Sequence, residues 1–291
     1  MSNLNKLSIA AAALLASTSM GFAADIIDPP LIDPPYVEEI PEVPHISNHG
    51  GWYLRGDLGF AHNSLTHVDR LVADDVLAPT YSNFSSADLD ESLSIGVGVG
   101  YQINGTLRVD ATLKHITDAK FTGDSSTSGG NFACNVLDPD SDGDMCSVSD
   151  TAEFSATTVM MNAYADLGTF SGFTPYVGAG LGGAHTHWTA LDNDINCVAG
   201  GPGDCASDAA NSYNTAFDGK HAAKNGWRFA YALHAGASYD LSRNVKIDAG
   251  YSFTHISGGD MYGFQNGSGV MGNHGDIKIH EVRAGLRYNL Y

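Results

Sequence analysis

The chain has 291 residues, with 33 Asp and Glu against 14 Lys and Arg, and a net charge of −19. That balance argues against nucleic acid or a bare anionic membrane surface as a partner, because like charges repel. Length alone permits one or two domains.

Residues 1–23 read as a secretory signal. Lys6 is the short basic start, Leu7 to Ala16 is an apolar run too short to span a bilayer, and Gly21 and Ala23 are small residues at −3 and −1. A cut before Ala24 takes the charge from −19 to −20, since this segment holds Lys6 and no Asp or Glu. No later apolar stretch is long enough for a transmembrane helix, so the expectation is an exported chain not held by helices. Residues 24–50 are acidic and proline-rich, repeating Ile-Asp-Pro-Pro at Ile27 and Ile32. Proline lacks the N–H that a sheet interior needs, so this part reads as an extended, semi-rigid periplasmic spacer.

From Gly51 the period becomes two. Trp52, Leu54, Leu58 and Phe60 share one face, opposite Tyr53, Arg55 and Asp57. Leu93 to Tyr101 alternates with Ser94 and three glycines, and Leu107, Val109, Ala111 and Leu113 oppose Arg108, Asp110, Thr112 and Lys114. The pattern returns at Val159–Leu167, in the glycine-rich Val177–Leu181, at Trp227–Asp240, at Val245–Phe253 and at Glu281–Leu290. Each segment is long enough for the roughly 9–11 tilted residues that cross a bilayer as a strand. Aromatic residues gather near segment ends, as in interfacial girdles, and the charged face must then be the interior.

Connections alternate in length. Asn104-Gly105, with both central positions expected at positive φ, Gly168–Thr174 and Leu241–Asn244 are short. Asn63–Glu91, Ala119–Glu153, Thr189–Asn225 and Ser257–Gly275 are long and polar. The expected fold is therefore all-β, an eight-stranded antiparallel up-and-down transmembrane β-barrel over residues 51–291, in the bacterial outer membrane. Turns and both termini would face the periplasm and the long loops the outside. A soluble sandwich also alternates but has no reason to sort its loops this way.

Inward charges would be Arg55, Asp57, Arg108, Asp110, Lys114, Asp166, Arg228, Asp240, Lys246, Asp248, Glu281, Arg283 and Arg287. In a lumen wide enough only for side chains they would pair into a plug; the alternative is a narrow ion path. Asp138, Asp140, Asp142 and Asp144, with Gly143, have the D-x-D-x-D-G spacing of a calcium loop, although Ser149 stands where a bidentate Glu is expected. The competing reading is a solvated acidic tip. Calcium is the one cofactor the residues offer. Cys134 with Cys146 and Cys197 with Cys205 suggest two local disulfides, one of three possible pairings; zinc is disfavoured without CxxC spacing. His185 and His187, followed by Asp192 and Asp194, read as rim residues before they read as a metal or catalytic site, and no G-x-S-x-G or HExxH is present.

The run Phe173-Thr-Pro-Tyr-Val-Gly-Ala-Gly-Leu-Gly182, the Tyr239-Asp240-Leu241 strand end and the close His280–Tyr291 resemble the opacity-type, OmpA-like small outer-membrane β-barrel family of alphaproteobacteria. The resemblance implies a structural or surface-interaction protein, sometimes a narrow porin, with no catalytic residues. The last strand also resembles the signal read by the barrel-assembly machinery, with Gly285, Tyr288 and Leu290 in its glycine and apolar positions; Tyr291 lies one residue past that phase. The start Ala24-Asp25 resembles barrels joined to peptidoglycan through the N-terminal amine, which would make Ala24 an attachment point. Expected partners are outer-membrane lipid, lipopolysaccharide, the assembly machinery and, through Ala24, peptidoglycan. The barrel is expected to be a monomer and not an enzyme.

Overall fold

A computed structural model describes residues 50–73, 80–125, 145–198 and 219–290. Its strands, in chain order, are β1 (Gly51–Leu65), β2 (Val68–Ala73), β3 (Thr80–Asn83), β4 (Ser86–Leu89), β5 (Ser92–Gln102), β6 (Leu107–Asp124), β7 (Met145–Asp166) and β8 (Phe173–Trp188). They continue as β9 (Leu191–Val198), β10 (Gly219–His221), β11 (Asn225–Asp240), β12 (Val245–Ile256), β13 (Gly259–Tyr262), β14 (Gly272–His274) and β15 (Ile277–Asn289). No helix among the described residues is long and apolar enough to cross a membrane.

Eight strands make the wall. β1 pairs with β5 on one side and β15 on the other, and β5–β6, β6–β7, β7–β8, β8–β11, β11–β12 and β12–β15 complete an antiparallel ring. Closure leaves the ring without an edge, so its backbone donors and acceptors are satisfied by neighbouring strands. The register fixes which parity faces out. Leu58, Met161, Leu181, Trp227 and Val282 are exposed, whereas Tyr53, Arg108, Asp110, Glu281 and Arg287 are buried inside. Near the short turns the outer face carries Trp52 against Tyr101, ring centroids 5.3 Å apart, and Phe173 against Tyr239 at 4.7 Å. Toward the long connections it carries Phe60, Trp227, Phe229 and Tyr251.

Two expectations change. The long connections are not simply polar loops. β7 has 22 residues, about twice what a bilayer crossing needs, so the wall continues beyond any membrane. β9 pairs with β7, β10 with β9 and β4 with β6. β13, β14, β2 and β3 form a second, four-stranded sheet from the first and last long connections. The physical reason is that these stretches carry apolar residues of their own. Val68, Leu71, Leu89, Leu191, Met261, Tyr262 and Met271 are buried with Ile116, Phe121, Phe154, Trp188, Ile256 and Ile277 in one apolar cluster.

The second change is the Asn104-Gly105 turn. Neither residue has positive φ. The side chain closes the turn instead: Asn104 Oδ1 accepts from the N–H groups of Thr106 and Leu107, at 2.9 and 2.8 Å. An Asx-type turn of this kind mimics a backbone bond without left-handed residues. Among the three short turns, the β7–β8 turn uses the left-handed region, at Gly168, Ser171 and Gly172.

Candidate functional site: a sealed lumen beneath a lid

The inward positions of the wall bring Arg55, Arg108, Lys114, Arg283 and Arg287 together with Asp57, Asp110, Asp166, Asp248 and Glu281. Arg55 grips both oxygens of Asp57 at 2.8 Å and donates from Nη1 to Asp110 Oδ2 at 2.8 Å and to the Tyr164 hydroxyl at 3.0 Å. Asp110 also accepts from the Tyr53 hydroxyl at 3.1 Å and from Asn162 Nδ2 at 2.8 Å. Arg108 donates to Asp166 at 3.1 Å, with its guanidinium carbon 4.1 Å from the Tyr164 ring centre and 4.7 Å from that of Tyr176. Arg287 donates to Asp248 at 3.3 Å, and Glu281 takes Lys114 and the Ser94 hydroxyl. Charge-assisted, partly bidentate bonds of this kind are what allow charges to stay out of water.

Space for the tyrosines comes from glycine on the facing strand. A Cβ on Gly100 would overlap the Tyr53 ring, and one on Gly178 the Tyr164 ring. Among these side chains lies a cavity of about 20 Å³ lined by Asp57, Lys114, His234, Glu281 and Arg283 among others, about the room of one water molecule.

Three of the expected lumen charges lie elsewhere. Arg228 faces inward as its parity requires, but only three residues into β11, where its Nη2 donates to the Asp260 carbonyl at 3.5 Å beneath β13. Asp240 and Lys246 form an ion pair at the opposite, short-turn end, partly open to solvent. Position along the strand, which alternation does not reveal, separates them from the central network. Tyr53, Ser94, Asn162, Tyr164 and Tyr176 share the parity of these charges, and Tyr53, Ser94, Asn162 and Tyr164 hydrogen-bond them, a role that alternation alone does not assign.

Above the charges the lumen is filled by an apolar cluster. Trp188 is fully buried, 4.9 Å from Phe154, 5.9 Å from Phe121 and 5.4 Å from His274 between ring centres. The four-stranded sheet closes over this cluster as a lid. A buried polar knot ties it down: Arg70 of β2 donates to Ser125 Oγ at 3.2 Å, Asp150 of β7 accepts from Ser125 N at 3.0 Å, and Asn193 of β9 bonds Asp150.

The lid contains a titratable joint. His274 Nδ1 donates to the Gly275 carbonyl at 2.7 Å, while Nε2 is buried without a hydrogen-bond partner among the described residues. Burial, helped by the Arg228 charge and opposed by that hydrogen bond, Asp260 and Asp276, lowers its pKa to about 4 from 6.5. The folded lid therefore favours neutral His274, so its contribution is complete above about pH 6.5 and lost as pH falls toward 4. At roughly 1.4 kcal/mol per pKa unit the loss approaches about 3 kcal/mol. Protection factors of the β14 amides, with the intrinsic pH dependence of exchange divided out, are expected to fall over that interval in the parent and to stay level in His274→Asn.

The remaining predicted positions are placed as follows. His185 and His187 face outward, and Asp192 and Asp194 are exposed on β9. Gly285 faces Asp57 inside, and Tyr288 and Leu290 are exposed on the outer face. Among the described residues no group of three or more His, Cys, Asp or Glu is placed to hold a metal. Asp138, Asp140, Asp142, Asp144, Cys134, Cys205 and Ala24 lie outside the described residues. Cys146 and Cys197 occupy facing positions on β7 and β9.

A sequence model of the family described as outer membrane protein beta-barrel domain matches residues 10–289. An uncharacterised protein of Brucella suis is 33% identical, with 94% of each chain covered. A putative adhesin of Rickettsia conorii is 27% identical over 67% of this chain and 66% of its own. Among solved structures, Neisserial surface protein A is 16% identical, covering 82% of this chain and 97% of that one, at a TM-score of 0.42.

Proposed function

Because this chain belongs to the outer membrane protein β-barrel family, we propose that it is a closed barrel that supports envelope integrity and offers its lid for surface contact. The observation that carries this reading is two layers inside the wall: a central network of ion-paired charges, with Arg283 buried beside it and its Nε and Nη2 without a hydrogen-bond partner among the described residues, and the Trp188 cluster above. A narrow porin would need a continuous wet path through both layers. Surface contact draws support from the extended wall and the lid, and from the name of the Rickettsia conorii relative, a putative adhesin.

The test is a deletion strain. Loss of the chain is expected to raise leakage of periplasmic protein and sensitivity to detergent, with uptake of small solutes unchanged. Normal integrity with slower solute uptake would favour the porin instead.

Anchorage to the wall through Ala24 is part of the same reading, since a proline-stiffened spacer can carry a free amine from barrel to peptidoglycan. Mass spectrometry of muropeptides from protease-treated walls is expected to find Ala24-Asp25 on a peptide stem; walls free of it, with the protein washed out by detergent, would remove the anchor. Calcium at Asp138, Asp140, Asp142 and Asp144 is assessed by calorimetry on the refolded barrel, where heat of binding that survives replacement of these residues would exclude them.

The register also bears on the cysteines. Facing positions in an antiparallel ladder are about 4.5–5.5 Å apart at Cα, within the range a disulfide spans. That makes Cys146 with Cys197 a pairing to test beside the two local pairs, Cys134 with Cys146 and Cys197 with Cys205. Peptide mapping of unreduced protein is expected to return the Cys146–Cys197 link; a Cys134–Cys146 link would support pairing between sequence neighbours.

A further inference from the structure

The outward face of β6, β7, β8 and β11 carries three kinds of chemistry, and the register stacks them. Lowest is an apolar recess of about 540 Å³, where Ala163 and Ala179 stand back between Val109, Met161, Leu181 and Leu233. Val109, Ala163, Ala179 and Leu233 lie on one continuous cross-strand rung. Higher on the same strands, His115, Thr157, His185 and Trp227 form another unbroken rung. His115 Nδ1 lies 3.0 Å from Thr157 Oγ1, and the His185 ring packs edge-on to Trp227 at 5.4 Å. Above that rung is a polar cavity of about 230 Å³ whose lining includes Lys120, Glu153, Thr189, Asp192 and Lys220.

We infer that this wall is a binding site for one phosphorylated glycolipid of the outer leaflet, with an acyl chain in the recess, phosphate on the imidazole rung and sugar in the polar cavity. Spacing supports the order. From Met161 to Thr157 the strand advances four residues, about 14 Å along its axis, or about 10 Å along the membrane normal at a tilt of about 45°. An acyl chain descending from a headgroup at the rung therefore reaches the recess. Charge supports the headgroup. On a chain of net charge −19, imidazoles and lysines converge on one outer wall at the level of the girdle. Imidazole N–H groups donate to phosphate oxygens.

Glu153 and Asp192 decide between lipid classes. Asp192 lies 4.0 Å from Lys220, and Glu153 is opposite Lys120 on the ladder. Carboxylates would repel a bare phosphate but accept hydrogen bonds from sugar hydroxyls, so the cavity suits a sugar phosphate better than a simple anionic phospholipid. The inference rests on residence in the outer membrane and is independent of whether the lumen conducts.

Native mass spectrometry of the full chain in micelles tests it, with bisphosphorylated lipid A as probe. A one-to-one complex is expected, weakened at least tenfold in the His115→Asn/His185→Asn double variant and several-fold in Lys120→Gln/Lys220→Gln. His62→Asn/His280→Asn, on β1 and β15 away from this wall, should bind as the parent does. Heat-modifiable gel mobility verifies that each variant is folded. Ala179→Leu fills the recess from the lipid side without touching the lumen, and it should weaken binding even where a polar variant fails to fold. Undiminished binding by the histidine variant, or equal loss in the His62/His280 variant, overturns the site. Equal affinity for dephosphorylated lipid A or for phosphatidylglycerol overturns the assigned ligand.

Discussion

Replacing Asp110 by alanine is expected to cost the folded barrel about 3–5 kcal/mol, the usual penalty for removing one partner of a buried ion pair. The Asp110 carboxylate is completely buried and accepts bonds from three side chains, Arg55, Tyr53 and Asn162. Its loss leaves Arg55 held only by Asp57 and the Tyr164 hydroxyl, and it leaves the Tyr53 hydroxyl with only the Val109 carbonyl, at 3.5 Å. The double replacement Arg55→Met/Asp110→Leu should cost less than the single one, because no charge is left behind. Urea unfolding in lipid vesicles measures both. A single variant within 1 kcal/mol of the parent would mean that water already reaches this network.

Trp188→Ala is expected to be similarly damaging, by about 3–5 kcal/mol, but in a different part of the molecule. The ring is fully buried beyond the membrane-length part of the wall, against Phe121, Phe154 and His274. The cavity left behind would sit under the lid, so hydrogen exchange should rise first in β2 and β14 while β1, β5 and β15 stay protected. Uniform acceleration in all strands would show that lid and barrel unfold as one unit.

The eight wall strands were legible because alternation over ten or more residues is a strong signal and one slipped residue would turn every charge toward lipid. Arg55, Asp110 and Arg287 could be placed inside from parity alone. Their partners could not, because Arg55 and Asp110 meet only through the β1–β5–β6 register. The lid was read as polar loop because β3 and β13 have four residues each and β14 three, too short for any period to declare itself. Arg228 has the inward parity that alternation assigns, but it sits above the central network, since parity gives the face and not the height. His185 was read as a rim residue, and its rung with His115 across Thr157 exists only once the ladder is known.

Single-channel recording of the full chain in planar bilayers tests the sealed lumen most directly. The account predicts a flat baseline for the parent at pH 7 across applied voltages, with brief openings only after the Asp110 and Trp188 replacements are combined. Reproducible open levels from the parent would contradict it and make this barrel a pore.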